Sequence, residues 1–135
     1  MSGAGYSGTP LPTKLGFKPG MTAAFLDAPD AVVSLLGDLD GVTVRRRLGG
    51  HLDLVLCFVT QRAALVRRAP ALRRAVQPDG MVWVCWPKRA SKVPTDVTED
   101  VVRDVLLPTG LVDTKVAAID ATWSGLKLMV RRELR

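Results

Sequence analysis

The chain has 135 residues, 47% of them hydrophobic and 24% charged, which suits one globular domain with a single core and excludes a disordered chain. The net charge of +6 leaves nucleic acid or an acidic partner open, while no apolar run reaches the roughly 18 residues that a spanning helix needs. The opening stretch MSGAGYSGTPLPTK lacks the basic start and apolar segment of a secretory signal, so a cytoplasmic protein with no membrane association is expected.

Residues 1–20 are rich in Gly, Pro, Ser and Thr and hold no long regular element. Tyr6, Leu11, Leu15 and Phe17 are spaced through them as apolar anchors. They are therefore expected to form an arm packed on a single α/β domain of residues 21–135, with a helical turn at 12–15 ended by Gly16. A turn at Pro19 and Gly20 leads into a buried strand over 21–26. Asp27, Ala28 and Pro29 follow, where a dinucleotide binder carries GxGxxG. Glycine is needed there so that backbone can approach a phosphate, and Pro29 also lacks an N–H. A helix is expected over 31–36, capped by Asp30 or started by Pro29 under Asp27 or Ala28. After a turn at 37–41, a strand over 42–48 ends in Arg45, Arg46 and Arg47, as suits a sheet edge protected from unwanted pairing. His51, the one histidine, sits in a turn with no Ser, Cys or carboxylate pattern around it and reads as a surface residue.

Residues 52–59 and 81–86 are short apolar runs rich in Val, Leu, Cys and Trp, the pattern of strands buried on both faces. The connector between them repeats Leu65, Ala69, Leu72 and Val76 at helical spacing. Pro70 interrupts that stripe, so two helices are expected, 61–68 and 70–75, followed by a turn at 77–80. The whole is a right-handed βαβ unit. Cys57 and Cys85 lie inside its strands, without CxxC spacing, and are expected to be buried reduced thiols; no metal site is expected. Residues 88–94 form a basic loop. A helix over 97–106 follows, capped by Asp96 or Thr95, with Asp96 and Glu99 at capping-box spacing. Strands over 112–120 and 126–133, joined by a turn through 122–125, close the chain as an antiparallel hairpin.

The fold class expected is therefore a three-layer Rossmann-like α/β domain with a mostly parallel sheet of about six strands. The segment AVQPDGMVWVCW at 75–86 and the closing hairpin resemble the second half of class I S-adenosylmethionine-dependent methyltransferases, a likeness covering 52–135 and implying a truncated version of that fold. The family's acidic glycine-rich loop has no match at 26–29, and Arg45 to Arg47 stand where its ribose-binding acid would be. The chain also resembles the small bacterial proteins grouped as domain of unknown function 3052, through AGYSGTPLPTKLGFKPG at 4–20, WPKRASKVPTDVTEDVVRD at 86–104 and GLVDTKVAAIDATWSGLKLMVRRELR at 110–135. That likeness implies a stand-alone cytosolic protein of high-GC Gram-positive bacteria and carries no activity with it.

Topology suggests that the hairpin turn and the carboxyl ends of the parallel strands share one rim. Asp27, Thr60, Trp86, Lys88, Lys92, Trp123 and Ser124 are the candidate ligand-binding residues there, with Tyr6 covering them; aromatic rings beside cations suit a planar or anionic ligand or a protein hot spot. No catalytic residue can be assigned and no cofactor is expected. The first expectation is thus a non-catalytic binding or interaction module on a degenerate methyltransferase-like scaffold, with an unknown protein or small-molecule partner and a homodimer through an edge strand also open. The alternative is a small-molecule enzyme that binds a nucleotide or an S-adenosylmethionine-like ligand. A second alternative is nucleic-acid binding through 43–92, where eleven Lys and Arg face only Asp53 and Asp79, a net of +9, with Arg45, Arg46 and Arg47 as contacts.

Overall fold

A computed structural model describes residues 8–135, so Tyr6 lies outside the described residues. The chain runs α1 (Leu11–Leu15), β1 (Thr22–Leu26), α2 (Asp30–Leu36), β2 (Thr43–Arg45), β3 (Leu52–Phe58), α3 (Arg62–Ala75), β4 (Val76–Pro87), α4 (Glu99–Leu106), β5 (Leu111–Ala118) and β6 (Trp123–Val130), with short 3-10 turns at Arg89–Ser91, Leu107–Thr109 and Arg132–Leu134. The strands form one sheet in the order β2-β1-β3-β4-β6-β5. The first four are parallel, and β6 runs antiparallel to both of its neighbours.

Alternate side chains of β1, β3 and β4 point to opposite faces, and both faces are apolar. Ala23, Phe25, Leu54, Leu56, Phe58 and Trp83 pack with α1 and α2 on one side. Ala24, Val55, Cys57, Val82 and Val84 pack with α3 and α4 on the other. The result is the expected three-layer Rossmann-like domain. Among the described residues, no helix is long and apolar enough to cross a membrane.

The core overrides several local signals. Helix α3 continues through Pro70 instead of breaking into two. Leu65 and Leu72 are fully buried, each worth roughly 1.5–3 kcal/mol, which offsets the roughly 3 kcal/mol cost of an interior proline. The carbonyl freed by proline belongs to Val66, four residues earlier on the exposed side of the helix, where water can reach it. The expected turn at 77–80 is part of β4: Val76 pairs with Leu52 and Met81 with Leu54, and the residues between bulge out. Gly80 sits in the bulge because a Cβ there would lie 2.9 Å from the Leu52 carbonyl oxygen.

Three further boundaries differ. β2 is only three residues long, since all three are exposed and burial does not extend it; it does form one edge of the sheet. Pro29 occupies the N-cap of α2 with no side-chain cap, and Asp30 is already helical. At α4 the cap is Thr98, whose Oγ1 accepts from the Val101 N–H at 3.2 Å, while Asp96 accepts from the Arg62 N–H at 2.7 Å and so caps the start of α3.

The N-terminal segment is tied to the sheet centre by Trp83. Its ring is fully buried, and its Nε1–H donates to the Leu15 carbonyl at 2.9 Å. Gly16, at φ 95, lets the chain turn out of α1 directly above Met81. Trp83→Phe keeps an aromatic ring but leaves the Leu15 carbonyl unpaired. It should cost about 1–3 kcal/mol, seen as a lower urea midpoint with an unchanged slope.

Candidate functional site

The sheet order fixes where a crevice opens. From β1 the chain moves outward through α2 to β2, then returns past β1 to β3, with α3 on the other face. The segments leaving β1 and β3 therefore diverge, and a cleft opens at their carboxyl ends, the switch point of an open α/β sheet. A cavity of about 500 Å³ occupies that place, lined by Asp27 after β1, by residues 58–61 at the end of β3, by Ala64, Arg67 and Arg68 of α3, and by Trp123.

Asp27 is the first residue beyond β1 and has φ 57, a left-handed conformation that glycine adopts most cheaply. Its carboxylate pairs with the Arg68 guanidinium at 3.0 Å, linking the β1 loop to α3. The Asp27 side chain is 72% exposed, so this pair adds little to stability, about 0–1 kcal/mol. Both partners remain available to a ligand. Phe58 and Trp123 meet edge to face, with ring centroids 5.1 Å apart, and supply an aromatic side to the cleft. Trp123 owes its position to strand pairing opposite Pro87, not to the hairpin turn expected from the sequence. The turn lies earlier, held by Asp120, whose Oδ1 accepts from the N–H groups of Thr122 and Trp123.

The Thr60 carbonyl forms a boundary. It accepts from the Thr95 hydroxyl at 2.7 Å and from the Asp96 N–H at 3.4 Å. Thr95, with Trp86, Arg89 and Lys92, lines a second recess of about 350 Å³ that shares no lining residue with the first. The candidates thus divide. Asp27, Thr60 and Trp123 come together in the cleft, and Trp86 and Lys92 in the recess. Lys88 and Ser124 line neither: the Lys88 N–H donates to the Thr122 carbonyl, and Ser124 pairs with Trp86 across the sheet. Arg45 donates to the Gly49 carbonyl at 3.1 Å, and Arg46 and Arg47 are exposed beyond β2, away from the cleft lining. Sequence reasoning missed Phe58, Arg67 and Arg68 as cleft residues. Arg68 directly precedes the buried Ala69, a signal that it borders the apolar stripe and does not stand free of it.

The fold is the Rossmann-like fold of class I methyltransferases, and the solved structures similar to it bear this out. A type 11 methyltransferase from Sulfolobus solfataricus, described as putative in its source, matches with TM-score 0.64 and 12% identity over 89% of each chain. An S-adenosylmethionine-dependent methyltransferase from Aquifex aeolicus matches with TM-score 0.60 and 14% identity over 87% of this chain and 86% of that one. The magnesium protoporphyrin IX methyltransferase of Synechocystis PCC 6803, solved with bound S-adenosylmethionine, matches with TM-score 0.58 and 10% identity over 89% of this chain and 74% of that one. No protein-family model matches the chain, so membership of domain of unknown function 3052 is not confirmed, and no curated protein matches it. The expectation of a non-catalytic interaction module is corrected by these neighbours, which are enzymes named for methyl transfer.

The two thiols are free and buried. Burial pushes Cys57 from an ordinary 9.0 up to about 11, although Arg68, with Nη1 3.9 Å from the sulfur, pulls the other way. Burial likewise pushes Cys85 well up. Neither thiol should react with iodoacetamide at pH 8 until the protein unfolds. Because the unfolded thiols ionise first, stability should fall as pH rises from 9 toward 11, measurable as a declining urea midpoint. Asp27→Gly relieves the left-handed backbone while losing an exposed ion pair, so its stability should stay within about 1 kcal/mol of the parent. Asp27→Val should lose roughly 1–2 kcal/mol by urea denaturation.

Proposed function

We propose that the chain is a small-molecule-binding enzyme of the methyltransferase type, acting in the cytoplasm, with S-adenosylmethionine or a close relative in the cleft between the ends of β1 and β3. The observation that carries this reading is the position of the 500 Å³ cleft at the topological switch point, a size and place typical of ligand sites. The Synechocystis neighbour, which binds S-adenosylmethionine on the same fold, supports it.

The cleft residues fit the charge pattern of such a ligand. Arg67 and Arg68 can take its carboxylate, the Asp27 carboxylate its ammonium group, and the Phe58 and Trp123 rings its planar or sulfonium part. Ribose hydroxyls find no acid at the end of β2, where Arg45 to Arg47 stand. Gln61, neutral and able to donate and accept, is the side chain in the cleft suited to them. Asp27 supplies the left-handed turn in place of glycine.

Bound S-adenosylmethionine supplies an electrophilic methyl group. The chain's own part is then to bind, orient and keep out water, for which positioning matters more than a protein nucleophile. Among the described residues, the cleft lining holds no Ser, Cys or His.

Calorimetry with S-adenosylmethionine and with S-adenosylhomocysteine tests the reading. Saturable heat is expected, with affinity about 10-fold weaker in Arg68→Gln and in Asp27→Gly, as the loss of a charged hydrogen bond predicts. No heat from either ligand at millimolar concentration overturns it.

A further inference from the structure

The recess beyond the Thr60 boundary has a chemistry of its own. Its floor is apolar: Trp86 is 7% exposed, Pro87 is buried beside it, and Val93 and Pro94 form the opposite side. Two cations, Arg89 and Lys92, stand at its edge, and no acidic residue lines it. Among the described residues, neither cation belongs to an ion pair, all of which involve Arg68 or Arg103. The nearby Asp96 is committed to the Arg62 N–H.

The loop that carries these cations is fixed at both ends. The Lys88 N–H donates to the Thr122 carbonyl at 2.7 Å, and the Ser91 hydroxyl donates to the Lys88 carbonyl at 2.6 Å. Ser91 Oγ also accepts from the Val93 N–H, and Thr95 is tied to Thr60. Lys92 has φ 61. A residue with a long side chain is held in the conformation where glycine costs least, and strain of that kind gathers at ligand clamps. A loop ordered before binding loses little entropy when a ligand arrives.

We propose that this recess is a second ligand site, independent of the cleft, for a flat and mostly apolar molecule bearing one anionic group, such as an aromatic carboxylate. The volume of about 350 Å³ lies within the range of small-molecule sites. Val93 and Pro94 offer apolar surface above the small exposed part of Trp86, and Arg89 with Lys92 meets a single carboxylate at the edge. A highly charged ligand such as a polyphosphate suits it poorly, because most of its wall is apolar.

The test uses 2-naphthoate, with neutral 2-naphthamide as its isostere, in calorimetry on the full chain. Saturable binding of 2-naphthoate is expected, at least 10-fold tighter than the amide. Lys92→Gly, which removes the cation while relieving the backbone, and Arg89→Gln should each weaken it about 10-fold without lowering the thermal midpoint, and Arg68→Gln should leave it unaltered. No binding at millimolar concentration, equal binding of the amide, or indifference to both loop variants overturns the proposal. So does a loss of affinity in Arg68→Gln, which would put the anion in the cleft. Since neither ligand site borrows residues from the other, a failure to bind S-adenosylmethionine leaves this result readable on its own.

Discussion

Burial of β3 and β4 on both faces is the constraint from which the rest follows. Six of the seven residues of β3 are buried, and water must be kept from either side of the strand. Helices are therefore needed on both faces, and the chain can supply them only by crossing over the sheet in two directions. It does so once toward β2 through α2 and once in the opposite direction, toward β4, through α3. The divergence of those two crossovers opens the cleft. The geometry of the cleft is in this sense a by-product of excluding water from the centre of the sheet.

Elements dictated by periodicity and burial could be read directly. The β3 strand, the α3 stripe and the two-faced sheet were visible because an apolar run must be buried whatever surrounds it. Elements decided by tertiary energy could not. Pro70 looked like a break because its local cost is visible in the sequence, whereas the burial of Leu65 and Leu72 that outweighs it depends on β3 and β4 lying beneath. Asp96 looked like the cap of the helix that follows it and instead caps α3, thirty-four residues earlier. The same limit applied to the site. Asp27, Thr60 and Trp123 could be placed on one rim from topology, but the partition at the Thr60 carbonyl is a matter of individual hydrogen bonds. Arg68 could not be placed in the site from the sequence, since helical spacing does not show that the β1 loop reaches back to it.

The basic segment takes on a different meaning in three dimensions. Five of its eleven cations have settings of their own: Arg45 closes its own turn on Gly49, Arg67 and Arg68 border the cleft, and Arg89 and Lys92 border the recess.

The antiparallel insertion of β6 sets the order in which this domain can be completed. β5 is made first, yet its partner in the sheet is β6, which also separates it from β4. Until Trp123–Val130 has been synthesised, β4 presents an unpaired edge and β5 has no place to dock. The sheet therefore closes late, when the local β5–β6 hairpin makes its one long-range pairing, that of β6 with β4, and the growing chain carries an open β4 edge from Pro87 until β6 is made. Slow closure of non-local strands and transient exposure to aggregation are the kinetic cost of this topology.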